Sequence, residues 1–374
     1  MTYELQGRLS LKIVFNNEEF LFKRANSFDF IHMVCSTRIG VPMLHMALQD
    51  NIGFLSETKH LGDAARIQIV VSGRDNSSQT YIWRLNHFQR QENGGGIRYE
   101  IDAYLDCSTY WHASTKEAIS GTSKKVLSTI ASNCGLLFDG PETSDDQLWL
   151  PRNRNYFEWA QSIAERGYRA DGSCMQMGLN FNRVITYRDL ADPRPVAARF
   201  NFGGYKEGTM LASAVSPSMS SGSMNHFSGY ADMAVEQDLE TSSVTNPVAQ
   251  VQVALKSSEG SLQMNSQVKK AIERSRVRFA PIDTGNVHPN YEKALYQNRR
   301  VNNLFSTRVD LVTPNVTNVN LLDTVDVTID GPYQYLKPYT GQYQVSSRVI
   351  RLLGNEYFEK LELLRKTING SLST

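Results

Sequence analysis

Cysteine is scarce in this sequence, proline is not abundant, and neither sign of charge prevails. The 374 residues contain four cysteines and 12 prolines, and 39 Lys+Arg stand against 38 Asp+Glu, a formal net charge of +1. Cys35, Cys107, Cys134 and Cys174 are scattered and form no C-x-x-C pair. A zinc site needs ligands clustered so that pairs share one ion, and that clustering is missing. The pattern predicts reduced, mostly buried thiols in a protein made in a cytoplasm. The balanced charge argues against a chain built to grip phosphate backbones, which shows a clear basic excess. No apolar run approaches the ~18 residues of a membrane-spanning helix. The first ten residues carry Glu4 and Arg8 and no apolar segment, so no signal peptide is expected.

Catalytic signatures are missing as well. There is no H-E-x-x-H, no G-x-S-x-G and no G-x-x-x-x-G-K-[ST]. The stretch Gly203–Thr209 comes nearest to a phosphate loop, but Glu207 would repel phosphate, and it reads as a turn. The seven histidines are dispersed, with His32 and His45 the pair best placed to meet in space. Asp145-Asp146 reads as a solvated loop between Ser144 and Gln147. Arg274, Arg276, Arg278, Arg299 and Arg300 are interspersed with Glu273, Asp283 and Glu292, the pattern of a charged solvent or interface face. No catalytic, cofactor-binding or metal-ligating residue is therefore assigned, and no cofactor is expected.

What is present is an ordinary globular composition, 41% hydrophobic and 21% charged, long enough for two to four domains. The first third has the two-residue period of half-buried strands. Leu9, Leu11, Ile13 and Phe15 alternate, Asn16–Glu19 turns, and Phe20 and Phe22 resume. Ile67–Val71, Tyr81–Leu85 and Tyr99–Leu105 repeat the pattern, separated by the turn-rich Gly73–Ser78 and by Gly94-Gly95-Gly96. Such alternation leaves one face wet and predicts antiparallel sheet. Helical period follows. Gly121-Thr122-Ser123 offers an N-cap, Val126, Leu127, Ile130, Ala131 and Cys134 form one stripe, and Gly135 is a natural stop. Asn155 with Glu158 forms a capping box for a second helix, with Phe157, Ala160, Ile163 and Ala164 inward and Gly167 at its end. Two short β-runs follow, Met175–Phe181 and Val184–Tyr187. Ser213–Ser223 reads as a loop. Strands are expected at Thr209–Val215 and Ala231–Val235, and helices near Leu262–Arg276 and Pro289–Asn302. The C-terminal part returns to β-period with Val325, Val327 and Ile329, then Tyr343, Val345 and Ser347, then Tyr357–Leu364.

A shift of 260 residues superposes LGDAARIQI (61–69) on LLDTVDVTI (321–329). The same shift sets Trp83 on Tyr343, Leu85 on Val345, Gly94 on Gly354 and Ile101 on Leu361. Strand, loop, strand, turn and strand recur with the same spacing and parity, which predicts a duplicated β-module.

Four segments then resemble a known family. LWLPRNRNYFEWAQSIAERGYRADG (148–172) is similar to the polar, aromatic, helical and Gly-Tyr run of the phage baseplate hub family. YTGQYQVSSRVIRLLGNEYFEKLELLR (339–365) is similar to its closing hairpin. NYEKALYQNRRVNNLFSTRVDLVT (290–313) resembles the helix leading into its second barrel, and GTSKKVLSTIASNCGL (121–136) the helix after its first. That family includes the phage late-control D proteins, the T4-type central hub and the N-terminal part of type VI secretion spike proteins. The resemblance implies an α+β, mostly antiparallel β chain with two tail-tube-like β-barrels around an α+β insert. Its boundaries would be 1–113 for the first barrel, 114–205 for the insert, 206–245 for the first strands of the second barrel, 246–304 for a helical and loop insert, and 305–374 for the rest of that barrel and the C-terminal tail. It further implies a non-enzymatic homotrimer in the virion, at the tail baseplate, assembled in the host cytoplasm. Such a ring would adapt a sixfold tail tube to a trimeric spike and form part of the channel for DNA ejection. Expected partners are the tail tube protein, a separate spike protein because the sequence stops at Thr374, a tape measure protein and other baseplate proteins. DNA would pass without specific binding. Two other readings remain open from the residues: a tail-associated hydrolase, and a receptor- or carbohydrate-binding tail protein.

Overall fold

The computed structural model describes residues 3–5, 9–22, 26–57, 60–62, 65–72, 78–93, 96–151, 153–170, 173, 175–190, 195–219, 232–237, 244–248, 278–283 and 307–365. The N-terminal part forms β1 (Tyr3–Leu5), β2 (Leu9–Phe15), β3 (Glu18–Phe20), β4 (Ser27–Ser36), β5 (Ile39–Asp50), β6 (Arg66–Ser72), β7 (Ser78–Asn93) and β8 (Gly96–Leu105). Then come α1 (Ser108–His112), β9 (Ile119–Gly121), α2 (Ser123–Asn133), β10 (Leu137–Asp139), β11 (Gln147–Trp149), α3 (Tyr156–Arg166), β12 (Met175–Leu179), β13 (Val184–Asp189), β14 (Val196–Phe202), β15 (Met210–Ala212) and β16 (Ala214–Met219). The chain continues with β17 (Asp232–Gln237), β18 (Val244–Val248), β19 (Arg278–Asp283), β20 (Thr307–Thr313), β21 (Thr324–Ile329), β22 (Gly341–Leu353) and β23 (Glu356–Arg365).

The alternating runs become strands buried on one face. In β2, Leu11, Ile13 and Phe15 are fully buried while their neighbours are half-buried. Asn16 and Asn17 both have positive φ, 45° and 73°, as a tight hairpin turn between right-twisting strands requires. The strands join into one fifteen-stranded sheet whose main path runs β1-β2-β6-β7-β8-β5-β4-β22-β21-β14-β15, with β16, β20 and β23 branching from β22 and β3 from β2. Most pairings are antiparallel. β14 lies parallel to β21 and β15, β10 to β13, and β17 to β19. Among the described residues these pairings trace an open path.

The duplication is visible as geometry. β7 pairs β8 with Trp83 opposite Leu105, and after an irregularity between Leu85 and His87 with Phe88 opposite Ile101. Shifted by 260, β22 pairs β23 with Val345 opposite Leu363, an irregularity between Val345 and Ser347, and Arg348 opposite Leu361. Even the bulge recurs at the equivalent place. It also corrects one sequence expectation: Ser347 does not continue the inward set of Tyr343 and Val345, because the extra residue reverses parity and turns Ser346 inward. The first hairpin differs slightly. Ile67 faces Trp83, whereas Val325, not Val327, faces Tyr343. A slip of two residues keeps every side chain on its face.

Between the modules, α2 packs on β10 and α3, and α3 packs on β12 and α1. Thr122 caps α2 by accepting from the Lys125 amide. Gly135, at φ 66°, closes it, with the Leu136 amide donating to Ala131 O at 2.8 Å. Asn155 Oδ1 accepts the Glu158 amide at 2.8 Å and caps α3. The buried face of α3 is Trp159, Ala160, Ile163 and Ala164, and Phe157 is only half-buried. Gly167 ends the helix with extended backbone, so no left-handed φ explains it. A Cβ there would lie 1.7 Å from Tyr187 Oη, so close approach does.

Two expectations change. Ala214–Met219, read as part of a Ser-Pro loop, is a strand that pairs β20. Its only partner among the described residues is β20, and an edge strand tolerates Pro217. Asp145 is fully buried, where its carboxylate accepts the amides of Ser123 at 2.8 Å and Tyr168 at 2.7 Å. The helices expected near 262–276 and 289–302, together with Arg274, Arg276, Arg299 and Arg300, lie outside the described residues. So do Cys174, Gly94 and Gly95. Arg278 opens β19.

Candidate functional site

The most distinctive chemistry lies where the modules meet. β4 of the first module pairs β22 of the second over seven residues, from Ser36 opposite Ser347 to Phe30 opposite Leu353. The core-facing residues of this half of β22 are Ser346, Arg348, Ile350 and Leu352, all buried. Arg348 is only 4% exposed and forks onto Glu359, with Nε to Oε2 and Nη2 to Oε1 both at 3.0 Å. Its remaining donors reach Val319 O at 3.1 Å, Thr317 O at 2.7 Å and Gln79 Oε1 at 3.2 Å. Glu359 also accepts from the Thr317 amide and hydroxyl and from the Tyr357 hydroxyl. Every strong group in the cluster has a partner, which is what makes a buried ion pair tolerable. Gln79 comes from the first module, donates to Thr317 O and accepts from the Tyr81 hydroxyl, so the cluster spans both modules.

Burial alone would lower the pKa of Arg348, but the Glu359 carboxylate and the Tyr81 oxygen outweigh it and raise it. Burial pushes Tyr81 and Tyr357 upward, and the Glu359 charge adds to both shifts. These are properties of a structural lock. The insert reaches the same point: Phe181, just after β12, packs edge-on against Tyr81 and Trp83 at 5.5 and 5.9 Å and lies 5.6 Å under the Arg348 guanidinium.

The equivalent positions in the first module hold no charge. Phe88 stands for Arg348 and Tyr99 for Glu359, and their rings meet at 6.4 Å. Phe88 is 39% exposed. The corresponding half of β7, beyond Leu85, pairs only β8 among the described residues, where β22 pairs both β23 and β4. Sequence reading missed Arg348 and Glu359. The signal was available: the shift of 260 puts Glu359 on Tyr99, an inward position.

The sequence-selected groups take ordinary places. His32 and His45 face each other across β4 and β5, and His45 Nδ1 lies 2.7 Å from Asp102 Oδ1 on the wet face. Burial, with Arg351 and His45 beside it, lowers the His32 pKa. His60 is buried between Phe54 O and the Glu18 carboxylate. Gly203–Thr209 is an exposed turn. Cys35, Cys107 and Cys134 are buried free thiols that burial pushes up to about 12, so they are poor nucleophiles and ligands. A cavity of about 380 Å³ opens between α3, the β4–β5 turn and the second module, lined among others by Arg38, Phe157, Glu165 and Arg308. Glu165, raised by burial, is its one carboxylate. Among the described residues no group of three or more His, Cys, Asp or Glu side chains is arranged to hold a metal, and no helix is long and apolar enough to cross a membrane.

No protein-family model matches the chain, and no curated protein matches it. Solved structures do. The 43 kDa tail protein of prophage MuSo2 from Shewanella oneidensis superposes with a TM-score of 0.62 at 8% identity, covering 96% of this chain and 98% of that one. The tail protein from Neisseria meningitidis MC58 gives 0.60 at 8% identity, with 98% of each chain covered. An E. coli component of the type VI secretion system, described as structurally similar to the T4 bacteriophage tail proteins gp27 and gp5, gives 0.52 at 8% identity, over 97% of this chain and 80% of that one. Two modules of one strand order, a helical insert between them in the chain and end-to-end superposition together give this chain the fold of phage tail proteins.

Proposed function

We propose that this chain is the structural hub of a phage tail baseplate: a homotrimeric ring that adapts a sixfold tail tube to a trimeric spike and lines part of the DNA channel. One observation carries the reading. Each chain holds two modules with the same strand order, β6-β7-β8-β5-β4 and β21-β22-β23-β20-β16, and with the same bulge in β7 and β22, laid edge to edge by β4 on β22. Three such chains present six similar units to a hexameric tube and keep threefold symmetry for the spike. The shared fold of two tail proteins supports the same assignment.

On this reading each module closes as a tube-like barrel in the assembled particle, with boundaries 1–113, 114–205, 206–245, 246–304 and 305–374 for first barrel, insert, start of the second barrel, second insert and remainder. The partners are the tube protein, a separate trimeric spike, a tape measure protein and other baseplate proteins. The role is structural and not enzymatic. The protein resides in the virion and assembles in the host cytoplasm. A channel that lets DNA slide must not trap phosphates, so its wall is neutral or acidic overall. The pairing of cations on the sheet's wet face suits this: Arg98 lies 2.7 Å from Asp29, Arg84 2.7 Å from Asp106 and Lys360 2.6 Å from Asp310.

Mass measurement tests the reading. The protein at micromolar concentration, alone and co-expressed with the spike, is expected to reach three times the chain mass in at least one preparation. A monomer in both would overturn the hub.

A further inference from the structure

The cavity of about 380 Å³ between α3, the β4–β5 turn and the second module has an apolar floor and a charged rim. Tyr110 of α1, Ala164 of α3 and Met175 and Leu179 of β12 are buried and form the floor. Phe157 of α3 and Leu364 of β23 are half-buried and wall it. Gly40 lets the Phe157 ring seat against the β4–β5 turn, since a Cβ there would lie 2.0 Å from Phe157 Cζ. Arg38, Gln161 and Glu165 are exposed, Arg308 is half-buried, and these four make the rim. A concave apolar surface with a few convergent polar groups is the usual form of a ligand site, and the usual volume is about 300–1,000 Å³.

The charge at the rim decides the ligand. Other cations of the sheet's wet face sit on carboxylates, Arg98 on Asp29, Arg84 on Asp106 and Lys360 on Asp310. Arg308 of β20 forms no ion pair and no side-chain hydrogen bond among the described residues. Arg38 keeps one guanidinium nitrogen 3.2 Å from Glu362. Two guanidinium groups thus stand against one carboxylate in the lining, Glu165, and the surplus is positive. A planar guanidinium matches a carboxylate through two parallel N–H···O bonds. The Gln161 amide can both donate and accept, as a peptide backbone requires. Glu165, one helical turn on from Gln161, repels an acidic group placed beside it.

We propose that this cavity binds the C-terminus of a partner polypeptide, with an apolar last side chain on the floor between Phe157 and Met175 and the terminal carboxylate on Arg308, Arg38 beside it. Gln161 holds the peptide backbone, and Glu165 favours an uncharged or basic residue upstream of the end. A free fatty acid offers neither Gln161 nor Glu165 a partner, whereas a chain end offers the first an amide and the second a side chain. Every group in the lining comes from one chain, so the site is complete without the trimer.

Fluorescence anisotropy on the full chain tests it, with the labelled peptide Gly-Ser-Gly-Ser-Lys-Val-Phe. The free acid is expected to bind saturably at micromolar protein. Amidation of its C-terminus and Arg308→Gln in the protein are each expected to weaken binding about tenfold to a hundredfold, the worth of a lost charge-assisted hydrogen bond. Arg308→Lys keeps the charge and is expected to recover part of the loss. Arg351→Gln, the same change on the same sheet face but outside the cavity, is expected to bind as the wild type does. Glu165→Gln is expected to remove the preference for the lysine-bearing peptide over one with glutamate in its place. An unchanged thermal midpoint in each variant checks folding. Equal binding of acid and amide, wild-type binding by Arg308→Gln, or no binding of the free acid below about 1 mM would each overturn the proposal. Octanoate that competes as well as unlabelled peptide would mark a site for free amphiphiles, and would overturn it too. So would binding by the monomer that vanishes in the assembled protein, because a second copy would then fill the cavity. All of these outcomes leave the trimer mass, and with it the hub reading, untouched.

Discussion

Arg348 and Phe88 occupy the same position of two related strands and meet its demands by different chemistry. Arg348 is sealed by β4 and paired with Glu359, whereas Phe88 is half covered by Tyr99. Removing one member of a buried ion pair strands the other, so Arg348→Met is expected to cost about 3–5 kcal/mol in urea unfolding. The double variant Arg348→Phe/Glu359→Tyr installs the first module's pair and is expected to lie closer to wild type than either single change. Asn155→Ala removes the acceptor for the Glu158 amide and is expected to cost about 1 kcal/mol. For His32 the folded pKa is lowered by burial, with Arg351 and His45 contributing. The unfolded chain therefore binds the proton more readily, so this stability is present above about pH 6.5 and is lost as pH falls through the folded value. His32→Gln is expected to lose less stability than wild type between pH 7.5 and 5.5, read as the shift in denaturation midpoint.

At the scale of elements, the repeated hairpin β7–β8 and its counterpart β22–β23 share a register and a bulge. Ile101 and Leu361 are both fully buried at its centre. Ile101→Asp and Leu361→Asp are each expected to cost several kcal/mol, because an unpaired carboxylate would enter an apolar face. Wild-type-like melting of either would show that face to be wet. The end of α3 depends on space. Gly167→Ala would drive a methyl into Tyr187 Oη, and the expected loss is partly recovered in the double variant with Tyr187→Phe, measured by the same unfolding curves.

For the whole molecule, net charge and its distribution bear on transport. The net charge is +1, and cations on the wet face sit against carboxylates. Duplex DNA is therefore expected to be neither retarded nor retained by the assembled protein at 50 mM salt. Micromolar binding that weakens steeply with salt would mark a phosphate-gripping wall, against the channel reading.

The sequence by itself determined the strands β2, β6–β8, β12, β13 and β21–β23, the two capped helices and the duplication, because these rest on local period and on side chains that reach only a few residues; β4, β5 and β14 were not read from it. Leu11–Phe15, Val126–Ala131 and the match of Ile101 with Leu361 are of that kind. The Ser-Pro stretch hid β16, because its strand is imposed by β20 some ninety residues later and not by its own propensity. One extra residue at Ser346 turned the inward set over, and periodicity carries no mark of a bulge. Asp145 looked solvated since its partners, the amides of Ser123 and Tyr168, are distant in sequence. The tertiary structure alone decided the junction: β4 meets β22 across some three hundred residues, and only there does Gln79 reach Arg348. Burial of that guanidinium is a property of the assembled sheet edge, which no stretch of sequence contains by itself.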